Sequence, residues 1–426
     1  MKRRTFLKNT AATATVGTLG FPIIKKQKDS YRTVLIGSGW WGMNILREAY
    51  RYGKAEIVGI CDVDQNQLKK ASDEIFQWNN AKPKWYTDYR ECISDATPEI
   101  VIVGTPDHWH ALPTVAAVNA GAYVYVEKPI CHTIGEGQAM LKAARANNRV
   151  VQVGTHRRVS PHMISGMNYI KSGKIGKVTM VKCFVNQNRK FNDPVPNADV
   201  PEGLDWDMWL GPAPKQPYNP KMHPKGFRNF LDFANGTIGD WGIHWFDQVL
   251  WWTEERFPRS VFSTGGRFVN KDNTDTPDTQ LATFDFEDFV CCWEHKYGAS
   301  NANEESPIGL YFYGSEGTMH LGWRDGWTYY PNSKSGSILH EDPRVNEPDF
   351  QNIKELWADF ISSIENNTRP ICDIEDGQLA TNMSLLAMIS LKLGRSVQWD
   401  GNNTINDPEA QKLMRREYRS PWVYPE

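Results

Sequence analysis

The stretch Gly37-Ser38-Gly39-Trp40-Trp41-Gly42 reads G-x-G-x-x-G. It sits between an apolar run at 33–36 and a helical pattern at 41–50. A second apolar run, 56–61, ends at Asp62, 25 residues after Gly37. The chemistry this suits is the seating of a dinucleotide. Glycines allow a tight turn and close backbone approach to a pyrophosphate. The helix start offers unpaired N–H groups and the positive end of a dipole. An acid at this spacing accepts hydrogen bonds from ribose hydroxyls. Asp62 would repel a 2′-phosphate and no arginine follows it directly, which favours NAD over NADP, with Lys69 and Lys70 nearby as the opposing feature.

Three other groups of residues have reactive types in useful places. Lys128 follows an apolar strand pattern at 123–127, at its C-terminal end, which is where ligands bind in open α/β sheets. A cation there lowers the pKa of a substrate hydroxyl and stabilises a developing alkoxide. Pro129 restricts Lys128 to extended backbone angles. Asp240 and His244 stand four residues apart and, on a helix, share one face, with Asp247 one turn further on. A histidine so placed can take a hydroxyl proton while the aspartate holds its tautomer or a second hydroxyl. His156-Arg157-Arg158 follows another strand pattern at the same sheet edge and can bind substrate oxygens. His108 and His110 have a spacing that metals use, but no Cys or carboxylate cluster accompanies them, so no metal site is expected. Seven of the ten histidines, at 108, 110, 132, 156, 162, 223 and 244, fall in segments placed near this cleft.

Alternating elements must carry these groups. Strands are expected at 33–36, 56–61, 84–86, 100–104, 123–127 and 150–153, with helices at 41–50, 64–77, 88–95, 113–119 and 134–147. That alternation means a doubly wound parallel sheet, an N-terminal Rossmann domain over 31–152. Past residue 153, strand patterns recur at 177–188, 261–267, 279–286, 289–295, 308–313 and 318–321, and turn signals such as Ser315-Glu316-Gly317 suit hairpins. Helices are expected at 356–366 and 376–393. At 426 residues the chain has room for two or three domains.

Composition excludes several partners. Formal net charge is −2 and no basic run follows the first 30 residues, so nucleic acid and acidic membranes are poor fits. No apolar stretch reaches the roughly 18 residues of a membrane span. Seven cysteines without a C-x-x-C pair read as buried small hydrophobes rather than a disulfide framework. The 17 tryptophans suit a core or subunit interface more often than a ligand contact. Ahead of the fold, Lys2-Arg3-Arg4-Thr5-Phe6-Leu7-Lys8, an apolar run at 11–24 and Lys25-Lys26 resemble a twin-arginine export signal. Residues 1–30 are therefore set apart from the fold, and a periplasmic location is expected. Such substrates travel folded, and a periplasmic enzyme has no soluble cofactor pool, so any cofactor must stay bound.

Two further segments, Gly104-Thr105-Pro106-Asp107-His108-Trp109-His110 and Val126-Glu127-Lys128-Pro129, join the glycine loop in a chain that resembles the Gfo/Idh/MocA superfamily of sugar and polyol oxidoreductases. The segments 205–214, 239–247 and 406–422 resemble a bacterial, often exported branch. The resemblance implies a second, α+β domain over 153–426 with a large, mostly antiparallel open sheet, helices packed back on the body, and pairing of subunits through that sheet. It implies Lys128, Asp240 and His244 as catalytic residues. It implies a cofactor site of Gly37, Gly39, Trp40, Trp41, Gly42, Asp62, Thr105, Pro106, His110 and Glu127. Substrate oxygens fall to His156, Arg157, Arg158 and Asp247, with Asp247 equally readable as a helix-surface carboxylate. The expected activity is hydride transfer from a ring hydroxyl of a sugar, glycoside or polyol to tightly bound NAD. One alternative is a redox-neutral NAD-dependent glycosidase or lyase that oxidises C3 transiently and eliminates. Here the Tyr-Pro-Thr-His segment of the α-N-acetylgalactosaminidases is replaced by Gly-Asp-Trp-Gly-Ile-His. A second alternative is a non-catalytic sugar-binding protein.

Overall fold

A computed structural model describes residues 28–187, 193–298 and 306–426. Residues 1–27 of the export signal expected at 1–30, and the last residue of the strand expected at 177–188, lie outside the described residues. In the N-terminal part, strands β1 (Tyr31–Ile36), β2 (Ala55–Cys61), β3 (Lys84–Tyr86), β4 (Ile100–Val103), β5 (Tyr123–Val126) and β6 (Val151–Val153) form one sheet. Its order is β3-β2-β1-β4-β5-β6 and every pairing is parallel. The crossovers carry helices α1 (Trp40–Tyr52), α2 (Gln65–Asn79), α3 (Tyr89–Ala96), α4 (Ala111–Asn119) and α5 (Ile134–Ala146). β4 and β5 read Ile-Val-Ile-Val and Tyr-Val-Tyr-Val and are almost wholly buried, as a sheet covered on both faces requires. α2 and α3 begin one residue later than the patterns at 64 and 88, because Asp64 and Asp88 serve as N-caps, their carboxylates accepting from the N–H of Asn66 and Arg90.

The chain then passes through α6 (Pro161–Lys171), β7 (Val178–Gln187), α7 (Trp206–Leu210), a π-helical turn (Ile238–Gly242) and α8 (Ile243–Trp252). Strands β8 (Ser260–Gly266), β9 (Thr279–Asp285), β10 (Val290–Tyr297), β11 (Ile308–Gly314), β12 (Gly317–Gly322), β13 (Trp327–Pro331) and β14 (Leu339–Glu341) follow, then α9 (Ile353–Asn366), α10 (Ile374–Leu393), β15 (Val397–Gln398) and α11 (Pro408–Leu413). The sheet order is β14-β13-β12-β11-β7-β10-β9-β8-β15. Only β7 and β10 pair in parallel; all other neighbours are antiparallel. Strands β13 to β15 and helix α6 had no expectation in the sequence. The strands are two to five residues long, too short to display alternation.

Two packing arrangements position the site. α9 lies against α1, so that Trp357, Phe360 and Ile361 enter the same buried cluster as Leu35, Ile45 and Leu46. The late helix therefore completes the core of the N-terminal sheet. Separately, residues 204–234 form a small cluster of their own around Trp209, Tyr218 and Phe233. Trp357 is fully buried, so Trp357→Ala should cost about 3–5 kcal/mol. Urea denaturation should show an earlier midpoint, and an unchanged one would contradict a shared core.

Candidate active site

The cleft begins where β1 ends. Gly37 has φ +90°, and a Cβ there would lie 2.7 Å from the Gly104 carbonyl. A Cβ on Gly42 would lie 2.1 Å from the Gly37 oxygen. These two glycines are required by the protein itself. Gly39 is different: a Cβ on it would meet nothing within 4 Å, and no side chain caps α1 there. The bare start of a 13-residue helix thus opens onto the cleft, the cradle that a pyrophosphate needs. Asp62 stands at the end of β2. Its carboxylate accepts from the Ser38 N–H (2.7 Å), the Ser38 hydroxyl (3.1 Å) and the Asp64 N–H (3.0 Å). Burial nonetheless pushes its pKa up to about 6. Trp40, Trp41, Thr105, Pro106 and His110 complete this side. The Thr105 hydroxyl is buried without a hydrogen-bond partner. The cradle, the acid and the orphan hydroxyl fit a bound dinucleotide.

The other end of the cleft holds charge. Lys128 Nζ donates to Asp240 Oδ1 at 2.7 Å and to the Asp240 carbonyl at 3.0 Å. Arg228 Nε donates to the same Oδ1 at 3.1 Å. One carboxylate, carried by the π-helical turn, therefore holds two cations at the seam between the two sheets. Glu127 is buried beneath them and accepts from the Tyr125 hydroxyl (3.1 Å) and the Lys128 N–H (3.2 Å). Its carboxylate lies close over Gly154, where a Cβ would come within 2.6 Å of Glu127 Oε1 and push the side chain aside. His110 joins both halves, with Nε2 against the Thr105 carbonyl (2.8 Å) and Nδ1 against the Pro129 carbonyl (2.7 Å). A neutral imidazole carries one N–H and so donates to one of these carbonyls only; packed between the two, His110 fixes the cleft wall.

Two family models match this chain. One, described as the oxidoreductase family's NAD-binding Rossmann fold, covers residues 31–155; the other, the same family's C-terminal alpha/beta domain, covers 173–265. Together they take in just over half of the chain. It belongs to the Gfo/Idh/MocA oxidoreductase family. An inositol 2-dehydrogenase of Salmonella typhimurium is 32% identical over 173 residues, 40% of this chain and 49% of that protein. A glycosyl hydrolase family 109 protein of Shewanella baltica is 26% identical over 160 residues, 37% of this chain and 35% of that one. The chain thus spans about half or less of the length of these curated relatives. Among solved structures, levoglucosan dehydrogenase with NADH and levoglucosan superposes with a TM-score of 0.67 at 19% identity, covering 87% of this chain and 99% of that one. Aldose-aldose oxidoreductase from Caulobacter crescentus gives 0.66 at 16%, covering 87% and 100%. At such identities the likeness is one of fold.

Within this family fold, the remaining expected residues divide. His244 lies one turn beyond Asp240, where the π-turn passes into α8. Asp240 turns to Lys128, and the His244 ring lies 5.2 Å from that of His156 and 5.0 Å from that of Trp323. Burial, with Lys128 and Arg157 adding to it, holds the His244 pKa well below the usual histidine range, so the imidazole is neutral. Its Nδ1 is buried and unpartnered, as are both ring nitrogens of His156. Arg157 is wholly buried and stacks on Trp323, 3.3 Å from the ring centroid. Arg158 and Asp247 require correction. Arg158 Nε lies 2.9 Å from both Asp247 oxygens, and Asp247 has no exposed surface. A buried carboxylate and guanidinium satisfy each other at far less cost than either does alone, so the pair braces α8 and is not available to substrate. His108 is also consumed, with Nε2 against the Trp209 carbonyl at 3.1 Å. Among the described residues no group of three or more His, Cys, Asp or Glu is placed to hold a metal.

Sequence reasoning passed over Asp107 and Arg228, both of which line the cleft. Asp107 stood inside the segment already singled out, directly after β4 at the ligand-binding edge, which was the available signal. Arg228 lies in a loop with no pattern to mark it. Asp107 is 2% exposed with Oδ2 unpartnered. Burial pushes its pKa up to about 7, against the pull of Arg228 and Lys128 and with a push from Asp240. A carboxyl whose pKa rises on folding contributes stability below its unfolded pKa and loses it as pH climbs through the folded value. The ligand-free protein should therefore lose stability between about pH 4 and pH 7. In Asp107→Asn this loss should shrink, seen as a smaller fall in melting temperature between pH 5 and pH 8; an identical fall in both proteins would contradict the ionisation assigned to Asp107.

Proposed function

We propose that this chain is an NAD-dependent oxidoreductase acting on a ring hydroxyl of a sugar, glycoside or polyol. The observation that carries this reading is the Lys128 ammonium, held at 2.7 Å by Asp240 at the end of a cleft whose other end is the bare start of α1. Gly39 and the first N–H groups of α1 would hold the pyrophosphate, Asp62 the adenosine ribose, and Thr105 and Pro106 the middle of the cofactor. Bound there, NAD supplies the acceptor for the hydride that leaves the ring carbon. The chain's own groups handle the proton. Lys128 donates to the reacting hydroxyl oxygen and favours its alkoxide form, and Asp240 and Arg228 fix the ammonium in place. His244, kept neutral by burial, takes the hydroxyl proton as the carbon–oxygen double bond forms. Inositol, levoglucosan and aldoses, named for the relatives and fold neighbours, set the substrate class to try first.

A redox-neutral glycosidase or lyase is the second reading. It is supported by the likeness to family 109 glycosyl hydrolases and by Asp107, whose pKa of about 7 gives the cleft a further acid–base group for departure of a leaving group. The N-terminal twin arginine supports export of the folded protein to the periplasm, where a self-resetting cofactor needs no pool. The outer face of the nine-stranded sheet supports a homo-oligomer: Met180 pairs with Val290 there, both exposed, as are Phe262 and Leu281. Light scattering should give at least twice the monomer mass, and Leu281→Lys should lower it.

The deciding experiment incubates the purified, NAD-loaded protein with polyols, sugars and aryl glycosides. Accumulation of reduced cofactor without bond cleavage is expected for the first reading. Cleavage without net reduction, with solvent deuterium entering at C2, selects the second. Sugar binding with neither signal would leave a binding protein. Lys128→Ala should lower kcat/KM by about 10²–10³-fold while bound NAD, measured after denaturation, stays at the wild-type level; unimpaired turnover would contradict the site.

A further inference from the structure

Beyond α11 the chain runs without helix or strand to its end, yet it makes the densest polar contacts over the cleft. Arg416 donates through Nε to Glu136 on α5 (3.2 Å), through Nη1 to the Asp232 carbonyl (3.1 Å) and through Nη2 to the His108 carbonyl (3.0 Å). Those partners belong to the N-terminal helix layer, the segment 204–234 and the loop after β4. Glu136 is 1% exposed, and its Oε1 also accepts from the Tyr418 hydroxyl at 2.6 Å. Arg419 is committed to the segment alone. It donates to the carbonyls of Gly211 (3.1 Å), Ala213 (3.2 Å) and Asp207 (2.8 Å), and to the Asp207 carboxylate (2.8 Å). Trp422 then packs edge-on against Trp109, ring centroids 4.8 Å apart, on the N-terminal domain.

What this clasps is the cover of the proposed cofactor groove. Met208 and Trp209 line the cleft from one side, with Tyr89 and Trp109 facing them. The cover is seated closely: Trp109 Nε1 donates to the Trp209 carbonyl at 2.9 Å, and a Cβ on Gly211 would fall 2.1 Å from the Trp109 indole. Segment 204–234 thus forms one wall of the groove, seated on Trp109. Arg416 bridges the two bodies directly, and Arg419 with Trp422 bridges them through the tail.

The geometry points to the C-terminal tail, through Arg416, Arg419 and Trp422, as a clasp that retains the dinucleotide by holding the 204–234 cover over its groove. These are positioning residues: they set how long the cofactor stays, not the chemistry at Lys128. The inference rests on the cleft holding NAD, as proposed above.

The test loads the full chain with NAD, dilutes it into excess etheno-NAD, and follows exchange by fluorescence. Arg419→Met should exchange at least tenfold faster than wild type, with kcat at saturating NAD within twofold. Arg419→Lys, which keeps the charge but cannot span four acceptors, should fall between them. Wild-type exchange rates in a variant that melts as wild type does would overturn the clasp. If the variants do not fold, hydrogen exchange on the wild-type protein decides. Residues 206–213 and 415–424 should slow together when NAD binds, and unchanged exchange in both segments overturns the inference. A wild-type protein that takes up no NAD refutes the cofactor reading itself, and the two failures are thereby distinct.

Discussion

A single carboxylate between two cations holds the catalytic end of this molecule together. Asp240 comes from the second domain, Lys128 from the end of β5 in the first, and Arg228 from the covering segment, and all three meet at one oxygen. The group is only partly exposed, with 13% of the Lys128 side chain and 21% of that of Asp240 reached by solvent. Coulombic attraction at such depth is several-fold stronger than in bulk water. Removing Asp240 would leave two partly buried cations without their shared counterion, whereas removing either cation would leave Asp240 with the other. The junction therefore fixes the seam between the sheets and the direction of the ammonium together. In the proposed reaction, the alignment of a nicotinamide with a sugar ring would depend on that seam.

The path from sequence to this junction was legible where backbone geometry dictates residue type. Gly37 and Gly42 are required by close backbone approach, Asp64 and Asp88 by helix capping, and β4 and β5 by burial on both faces. Each leaves a mark in a short window, and the sheet and its loops follow from those marks. Lys128 and Asp240 were legible as a resemblance and, in part, from their placement at a strand end and on a helical pattern. What was hidden depends on contacts far apart in sequence. Nothing near Arg158 or Asp247 signals that they are each other's partner across 89 residues. The π-turn that carries Asp240 leaves no periodic trace. Arg228 acquires its position only when 204–234 folds onto the cleft.

That covering segment gives the second domain a role beyond substrate contact. Its own small core around Trp209 and Phe233 makes it a semi-independent body, and such bodies move unless anchored. Here the anchors are the tail arginines and the Trp109 seal. The same loop, 107–110, carries Asp107 into the cleft and, through His110, touches the Pro129 carbonyl beside Lys128. Cover, loop and Lys128 thus share one chain of contacts, so that under the proposed function the seating of the cofactor and the aim of the ammonium would follow from one arrangement.

The most direct measurement is a crystal structure of the protein as purified, soaked with a polyol that it turns over. The expected density is a dinucleotide with its pyrophosphate against Gly39 and its nicotinamide within reach of the Lys128 ammonium, with a substrate hydroxyl between Lys128 and His244. A dinucleotide bound elsewhere, or a sugar whose hydroxyls all lie out of reach of Lys128, would contradict it.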